Sequence, residues 1–282
     1  MSIESVAVSH ERDGFRQEAH VSPETLEGRS DRHLIRDTLA LLERPDLFLG
    51  EGAVGRVFSF SMRDKRFCQK VSLVRDVAAR TEEKVPQKYR QDYREQAARR
   101  AERPWSTTPK MEAYLTNRAA AIEDEFVKAP TVYRTLHITG SEDGEGYAVN
   151  DSYDILLMEQ VPGCNLEQMA FKGIPLPEGF DADVFADRLL SFVKKMNEAG
   201  IFHRDIAPRN VMIDFETGNP WLIDFGRGTN ASADPQVEEF TARDGRPAVL
   251  RFDKTDEQCV EGVRAHLREY QAYRAHIDSS KK

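Results

Sequence analysis

Three polar side chains in the second half of the chain, Asp205, Asn210 and Asp224, are of types that suit chemistry on a nucleotide phosphate. Asp205 and Asn210 stand in the run HRDIAPRN over 203–210, and Asp224 opens the run DFG over 224–226. A carboxylate such as Asp205 can orient an attacking hydroxyl and accept its proton. Asn210 and Asp224 offer oxygen ligands to Mg²⁺ on the phosphates. The order and short separation predict a phosphoryl-transfer centre.

A predicted β-hairpin positions two of these side chains. The runs VMI at 211–213 and WLI at 221–223 are short and apolar, as strands are, and the turn formers ETGNP at 216–220 lie between them. The hairpin would hold Asn210 at the entrance of one strand and Asp224 at the exit of the other. Both proposed metal ligands are therefore expected on the same edge.

A glycine-rich turn and a strand lysine lie in the first half of the chain. The run GEGAVG over 50–55 precedes RVFSFSM at 56–62, which alternates apolar and polar residues. A G-x-G-x-x-G pattern alone is weak, because dinucleotide-binding folds carry one between a strand and a helix. Here a strand follows, so we expect a hairpin turn. The next strand, 66–73, carries Lys70.

The glycine turn, the strand lysine, a later glutamate, H-R-D-x-x-x-x-N and D-F-G stand in the order that the protein-kinase-like superfamily uses. The chain resembles that superfamily over about 47–226, in the form of a minimal, eukaryotic-like bacterial kinase of the effector type. The resemblance implies a two-lobed α+β fold, with an antiparallel N-lobe sheet plus a helix and a reduced, mainly helical C-lobe. It also implies ATP and Mg²⁺ as cofactors and transfer of the γ-phosphoryl group to a protein hydroxyl.

The resemblance assigns a role to each candidate residue. Asp205 is the expected base, with Asn210 and Asp224 as metal ligands, while Lys70 grips the α- and β-phosphates and Arg209 neutralises the transferred group. Glu112 is the expected partner of Lys70, with Glu123 as the alternative. Met158 would be the gatekeeper, the backbone of Glu159 and Val161 would bind adenine, and Asn165 would lie near the ribose. The full nucleotide-binding set is Gly50, Gly52, Gly55, Val57, Lys70, Glu112, Met158, Glu159, Val161, Asn165 and Met212.

Two departures from the family pattern leave the acceptor open. Ala207 stands where serine/threonine kinases carry a lysine, and Arg209 resembles the arrangement of tyrosine kinases. Only 56 residues follow Gly226, and no A-P-E motif stands among them. A small-molecule or sugar kinase therefore remains an alternative, and a nucleotide-binding pseudokinase acting as a binding module is a third hypothesis.

The domain organisation is predicted as a flexible leader over 1–29, an N-lobe over 30–158 and a reduced C-lobe over 159–282. A charged helical insertion is expected at 76–105; it is either a solvated helix or a docking surface for an acidic partner. Helices are expected from Pro109, from an Asp181 or Asp183 cap, and from a capping box at 255–258. The segment 227–247 is predicted to be loop-like.

Bulk composition excludes several classes of protein. The 282 residues carry a net charge of −8, which argues against a nucleic-acid-binding surface. The three cysteines lack the spacing of a disulfide framework or a zinc site. No apolar run is long enough to span a membrane, and the N-terminus lacks a secretory pattern. These features predict a cytoplasmic protein, while export as an effector stays open.

Overall fold

The computed structural model describes residues 16–21, 45–51, 56–62, 65–73, 109–139, 153–230, 236–241 and 247–279. The chain divides into two compact units, one formed by 1–104 and 132–160 and the other by 105–131 and 161–282. The predicted insertion at 76–105, together with Gly52 and Gly55, lies outside the described residues.

The first unit is built on a six-stranded antiparallel sheet with the strand order β1-β5-β6-β4-β3-β2. A 3₁₀ turn, Pro45–Leu47, precedes β2. Phe58, Phe67, Ile155 and Leu157 are buried in this unit. The strands are β1 Arg16–Val21, β2 Phe48–Glu51, β3 Arg56–Met62, β4 Lys65–Leu73, β5 Val132–Thr139 and β6 Tyr153–Glu159.

Strand β1 lies inside the segment for which the sequence predicts a flexible leader. Its six residues pair with β5 from Arg16 opposite Thr139 to Val21 opposite Arg134. The polar composition of the segment hides the strand, because the pairing is supplied by a partner more than a hundred positions away. The leader prediction is wrong for residues 16–21.

The second unit is mainly helical, and two short sheets complete its described part. Strands β7, β8 and β9 form one sheet, and β10 and β11 form a separate antiparallel pair. The pair β10–β11 corrects the prediction of a loop over 227–247. The elements are α1 Pro109–Ala120, β7 Gly163–Asn165, α2 Leu166–Lys172, α3 Ala182–Glu198, a 3₁₀ turn Pro208–Asn210, β8 Val211–Asp214, β9 Pro220–Leu222, β10 Val237–Thr241, β11 Pro247–Arg251 and α4 Asp256–Ser279.

The first turns of helices α3 and α4 are capped by side chains at their N-termini. Asp181 accepts hydrogen bonds from the backbone N–H groups of Asp183 and Val184, so it is the N-cap of α3. At α4, Thr255 N–H donates to Gln258 Oε1 and Gln258 N–H donates to Thr255 Oγ1, which is the predicted capping box. Val260, Val263, Leu267 and Tyr270 form the buried face of α4, whereas Val184 of α3 is exposed.

Helix α1 packs in the second unit, although the sequence places it in the N-lobe. Leu115 and Ala119 are fully buried in the core that α3 and α4 build. Arg118 donates to the carbonyl of Ala199 at 2.6 Å, just beyond the end of α3. An amphipathic stripe shows that a helix has a buried face but not which neighbour covers it, so the assignment to a lobe differs from the expectation.

Candidate active site

The turn that carries Asp205 joins α3 to β8 within the second unit. Gly200 ends α3 with a φ of +72°, a conformation that glycine adopts without strain. Phe202 and Thr229 then exchange backbone hydrogen bonds of 2.9 and 2.8 Å, which tie the start of the turn to the segment after Gly226. Asp205 and Asp224 are thus both placed by backbone contacts.

The Asp205 carboxylate is held on both oxygens. Its Oδ1 accepts from Arg209 Nη2 at 2.6 Å and from Arg227 Nη1 at 3.2 Å. Its Oδ2 accepts from Asn210 Nδ2 at 3.0 Å, and the same amide donates to the Asp205 carbonyl at 2.8 Å. The carboxylate remains 17% exposed. An oriented and accessible carboxylate of this kind can accept a proton from a hydroxyl.

The predicted hairpin brings Asn210 and Asp224 to one edge. Val211 of β8 lies opposite Leu222 of β9, and Ile223 N–H donates to the Asn210 carbonyl at 3.0 Å. Asp224 has a φ of +63°, which is uncommon for a residue other than glycine. Because Asn210 Nδ2 is used by Asp205, its amide oxygen is turned the other way. The structure confirms the hairpin, and the role of the two residues as metal ligands stays a prediction.

Glu112 also reaches this edge. A Cβ atom at Gly226 would meet Asp224 Oδ1 at 3.0 Å and Glu112 Oε2 at 3.3 Å, so the two carboxylates lie against the glycine. Glu112 is buried on α1, in the second unit. Lys70, its predicted partner, belongs to the first unit, and their pairing stays a prediction.

His203 supports the turn. It is fully buried, its Nε2–H donates to the Ile223 carbonyl at 2.9 Å, and its ring lies 4.6 Å from that of Phe225. Its Nδ1 accepts from Asp205 N–H at 3.3 Å. A histidine with both nitrogens engaged by the scaffold holds neighbouring residues in place.

Two residues of the site escaped the sequence analysis. Asp256, at the start of α4, accepts from the backbone N–H groups of His203 and Arg204, both at 2.7 Å. Arg227 directly follows the DFG run and reaches Asp205. The capping box located the start of α4 but did not reveal that the Asp256 carboxylate binds the backbone of His203 and Arg204. The sequence feature that could have pointed to Arg227 is its positive charge directly after the DFG run.

In the first unit, Lys70 lies on β4 between Val57 of β3 and Leu156 of β6, and it is buried. Cys68, two residues earlier on the same strand face, pairs in register with Met158. Burial, with Glu159 nearby, raises the pKa of the Cys68 thiol to about 12, so the thiol is neutral near pH 7. The strand therefore presents a lysine and a small uncharged side chain on one face, as the predicted nucleotide site requires.

At the end of β6 and in the segment after it, residues predicted to contact adenine and ribose make hydrogen bonds within the protein. The Glu159 carbonyl accepts a 3.5 Å contact from Cys68 Sγ, and the Val161 carbonyl accepts from Gly163 N–H at 2.9 Å. Asn165 is the N-cap of α2, where its Oδ1 accepts from Gln168 N–H at 2.7 Å. Met212 of β8 lies opposite Asn165. The capping role occupies the Asn165 oxygen, and the nucleotide contacts remain predictions.

A scan against protein-family models matches residues 128–246 to the protein kinase domain. Among curated proteins, the chain is 30% identical over 157 residues to the serine/threonine-protein kinase ppk31 of Schizosaccharomyces pombe, which covers 53% of this chain and 14% of that protein. It is 30% identical over 141 residues to the hormonally up-regulated neu tumor-associated kinase of Homo sapiens, covering 49% and 18%. The chain thus spans less than a fifth of these relatives.

Among solved structures, a double mutant of the PknI kinase domain of Mycobacterium tuberculosis is 16% identical and covers 66% of this chain and 58% of its own. The TM-score of 0.39 is too low to support an inference. The family match over 128–246 and the kinase relatives, added to the antiparallel sheet and the helical second unit, confirm that the chain has a protein-kinase-like fold.

Within the described ranges, no helix combines the length and apolarity that crossing a bilayer requires. Likewise, no group of three or more His, Cys, Asp or Glu residues forms a metal site in that part of the chain. Asn210 and Asp224 could supply only part of a Mg²⁺ shell, so phosphate and water oxygens would complete it.

Proposed function

We propose that this protein transfers the γ-phosphoryl group of ATP to a hydroxyl group of a protein. One observation carries the proposal: the Asp205 carboxylate is fixed by Arg209 and Asn210 on a turn that the β8–β9 hairpin connects to Asp224. This arrangement supplies a proton acceptor beside the two oxygen donors that a nucleotide-bound metal ion needs.

Each side chain has one task in the proposed reaction. Asp205 orients the acceptor hydroxyl and accepts its proton as the oxygen attacks the γ-phosphorus and the bond to the β-phosphate oxygen breaks. Arg209 lies next to that carboxylate and balances charge on the phosphoryl group in transit. Lys70 holds the α- and β-phosphates. The rate enhancement comes from positioning and charge, without a covalent enzyme intermediate.

The proposed metal site consists of Asn210 and Asp224. Mg²⁺ bound there would neutralise the phosphate oxygens of ATP. Gly226 keeps this edge open, since any larger residue would press on Asp224 Oδ1. The Glu112 carboxylate lies beside the same glycine.

The test is phosphoryl transfer from γ-labelled ATP to purified protein, to dephosphorylated casein and to a cell lysate, with and without Mg²⁺. Asp224→Ala and Asp205→Ala serve as the variants, and Glu257→Gln, on the exposed side of α4, serves as the control. Label on polypeptides that disappears in both variants supports a protein kinase. Asp205→Ala with undiminished transfer would overturn the assignment of the base.

The same experiment identifies which class of molecule accepts the phosphoryl group. Label that appears on metabolites and on no polypeptide would favour a small-molecule kinase of the same superfamily. ATP binding without any transfer would identify a pseudokinase that acts as a binding module. Comparison of Ser/Thr-only with Tyr-only peptide mixtures then separates the acceptor hydroxyls.

A further inference from the structure

Asp205 is contacted by two arginines from different parts of the second unit. Arg209 lies on the 3₁₀ turn, and Arg227 follows Gly226. Both donate to Asp205 Oδ1, at 2.6 and 3.2 Å. The Arg227 side chain is 33% exposed and that of Arg209 is 49% exposed, so Arg227 is the more enclosed of the two.

The aromatic ring of Phe252 lies against Arg227. The guanidinium carbon of Arg227 is 5.6 Å from the ring centroid, and that of Arg204 is 4.9 Å from it. Phe252 is itself fixed at the base of the β10–β11 hairpin: its N–H donates to the Gln236 carbonyl at 2.7 Å. Cations at this distance from an aromatic face are attracted to it. The Phe252 ring thus contacts both Arg204, which precedes Asp205 in the chain, and Arg227, which donates to the Asp205 carboxylate.

We infer that Arg227 is a positioning residue for the proposed base, held in place by Phe252. The inference rests on the proposed function and adds a residue that the sequence pattern did not assign. Asp205 Oδ2 is fixed by Asn210, and Arg209 and Arg227 approach Oδ1. Donors on both oxygens prevent rotation of the carboxylate about its last side-chain bond, so that it keeps facing the acceptor.

The chemistry of guanidinium explains why two arginines suit this position. A guanidinium group is planar, always charged and pre-organised, so it loses less freedom per hydrogen bond than a flexible ammonium. Arg209 makes the shorter hydrogen bond to Asp205 Oδ1, at 2.6 Å, but its side chain is half exposed to solvent. Arg227 is stabilised at its other side by an aromatic face and can act as the rigid partner.

The experiment measures kcat and KM for ATP and for the acceptor protein with Arg227→Ala, Arg227→Lys, Phe252→Leu and Phe252→Tyr. We expect kcat to fall about tenfold in Arg227→Ala and about threefold in Phe252→Leu, because misorientation of a catalytic group lowers the rate of the chemical step. KM for ATP should stay within about twofold, since Arg227 is not among the residues proposed to contact the nucleotide. Arg227→Lys and Phe252→Tyr should retain most of the activity, and guanidinium ion at millimolar concentration should partly restore Arg227→Ala.

Arg188→Met is the matched control. Arg188 makes the same kind of contact, 4.1 Å above the Phe126 ring, with a hydrogen bond to Asn219, and none of these residues contacts Asp205 in the described part of the chain. The control should lower thermal stability at unchanged kcat. If Arg227→Ala also lowered thermal stability at unchanged kcat, Arg227 would be structural and the inference wrong. The inference would be equally wrong if kcat fell, KM for ATP changed as well and guanidinium gave no rescue. Wild-type protein without any transfer would instead overturn the proposed function.

Discussion

The carboxylate of Asp256 accepts a hydrogen bond of 2.7 Å from the backbone N–H of His203, although 53 positions separate the two residues. The other carboxylate oxygen accepts from Arg204 N–H at the same distance. Arg204 has a φ of +61°, a conformation that a non-glycine residue adopts only when its surroundings stabilise it. The first turn of α4 therefore fixes the backbone that leads into Asp205.

Replacement of Asp256 by alanine should both destabilise the second unit and slow phosphoryl transfer. The change leaves two backbone N–H groups without their charged acceptor in a buried site, which costs about 2–4 kcal/mol. Urea unfolding and kcat of the folded fraction measure the two effects. Glu257→Gln, one residue along the same helix and exposed, is the control and should change neither. Full stability of Asp256→Ala would contradict the anchoring role.

Local chemistry made part of this site predictable. The β8–β9 hairpin and the caps at Asp181 and Thr255 are set by neighbours in sequence, so apolar runs and turn formers revealed them. The contact of Asp256 with His203 depends on how α4 packs, and no nearby residue signals it. Strand β1 was not predicted for the same reason, because its partner β5 is remote in sequence. The order of the motifs predicts which residues act, whereas the residues that support them, Asp256 and Arg227, were found only in the structure.

The ion pair between Asp124 and Lys195 predicts a pH-dependent contribution to stability. Burial acts to raise the pKa of Asp124, but the Lys195 ammonium at 2.8 Å and the N–H groups of Val127 and Phe126 outweigh it and hold the pKa below its usual value. A lowered pKa in the folded state means that the stabilisation is present above the unfolded pKa of about 4 and is lost as the pH falls through the folded value.

Asp124→Asn keeps the oxygen that accepts from Val127 and Phe126 and removes only the charge. We expect it to be less stable than the wild type by about 0.5–1 kcal/mol at pH 7, since Lys195 is half exposed. The difference should shrink as the pH falls below about 4. Urea unfolding at pH 7 and pH 3 checks this, with the exposed neighbour Glu125→Gln as control. A difference that persists undiminished at pH 3 would rule out the ion pair as its source.

Arg264 connects α3 to α4. It is 12% exposed and pairs with Asp183 and Asp187 of α3 and with Glu261 of its own helix. Because α4 also carries Asp256, loss of this contact should loosen the support of the Asp205 turn. Arg264→Met should lower Tm by about 2–4 °C in low salt and by less in high salt. Arg268→Met, which removes a more exposed partner of Asp183, should have a smaller effect.

Replacement by alanine is expected to have opposite effects at Gly226 and at Gly262. A Cβ at Gly226 would meet Asp224 Oδ1 at 3.0 Å and Glu112 Oε2 at 3.3 Å, whereas a Cβ at Gly262 meets nothing within 4 Å. Gly226→Ala should displace the Asp224 carboxylate and reduce kcat by about tenfold, because small errors in the placement of catalytic groups are costly. Gly262→Ala, inside α4, should leave kcat unchanged and stabilise the protein by about 0.5–1 kcal/mol. Steady-state kinetics and urea unfolding on both variants provide the comparison. If Gly226→Ala retained wild-type kcat, Asp224 would not need its present position for phosphoryl transfer.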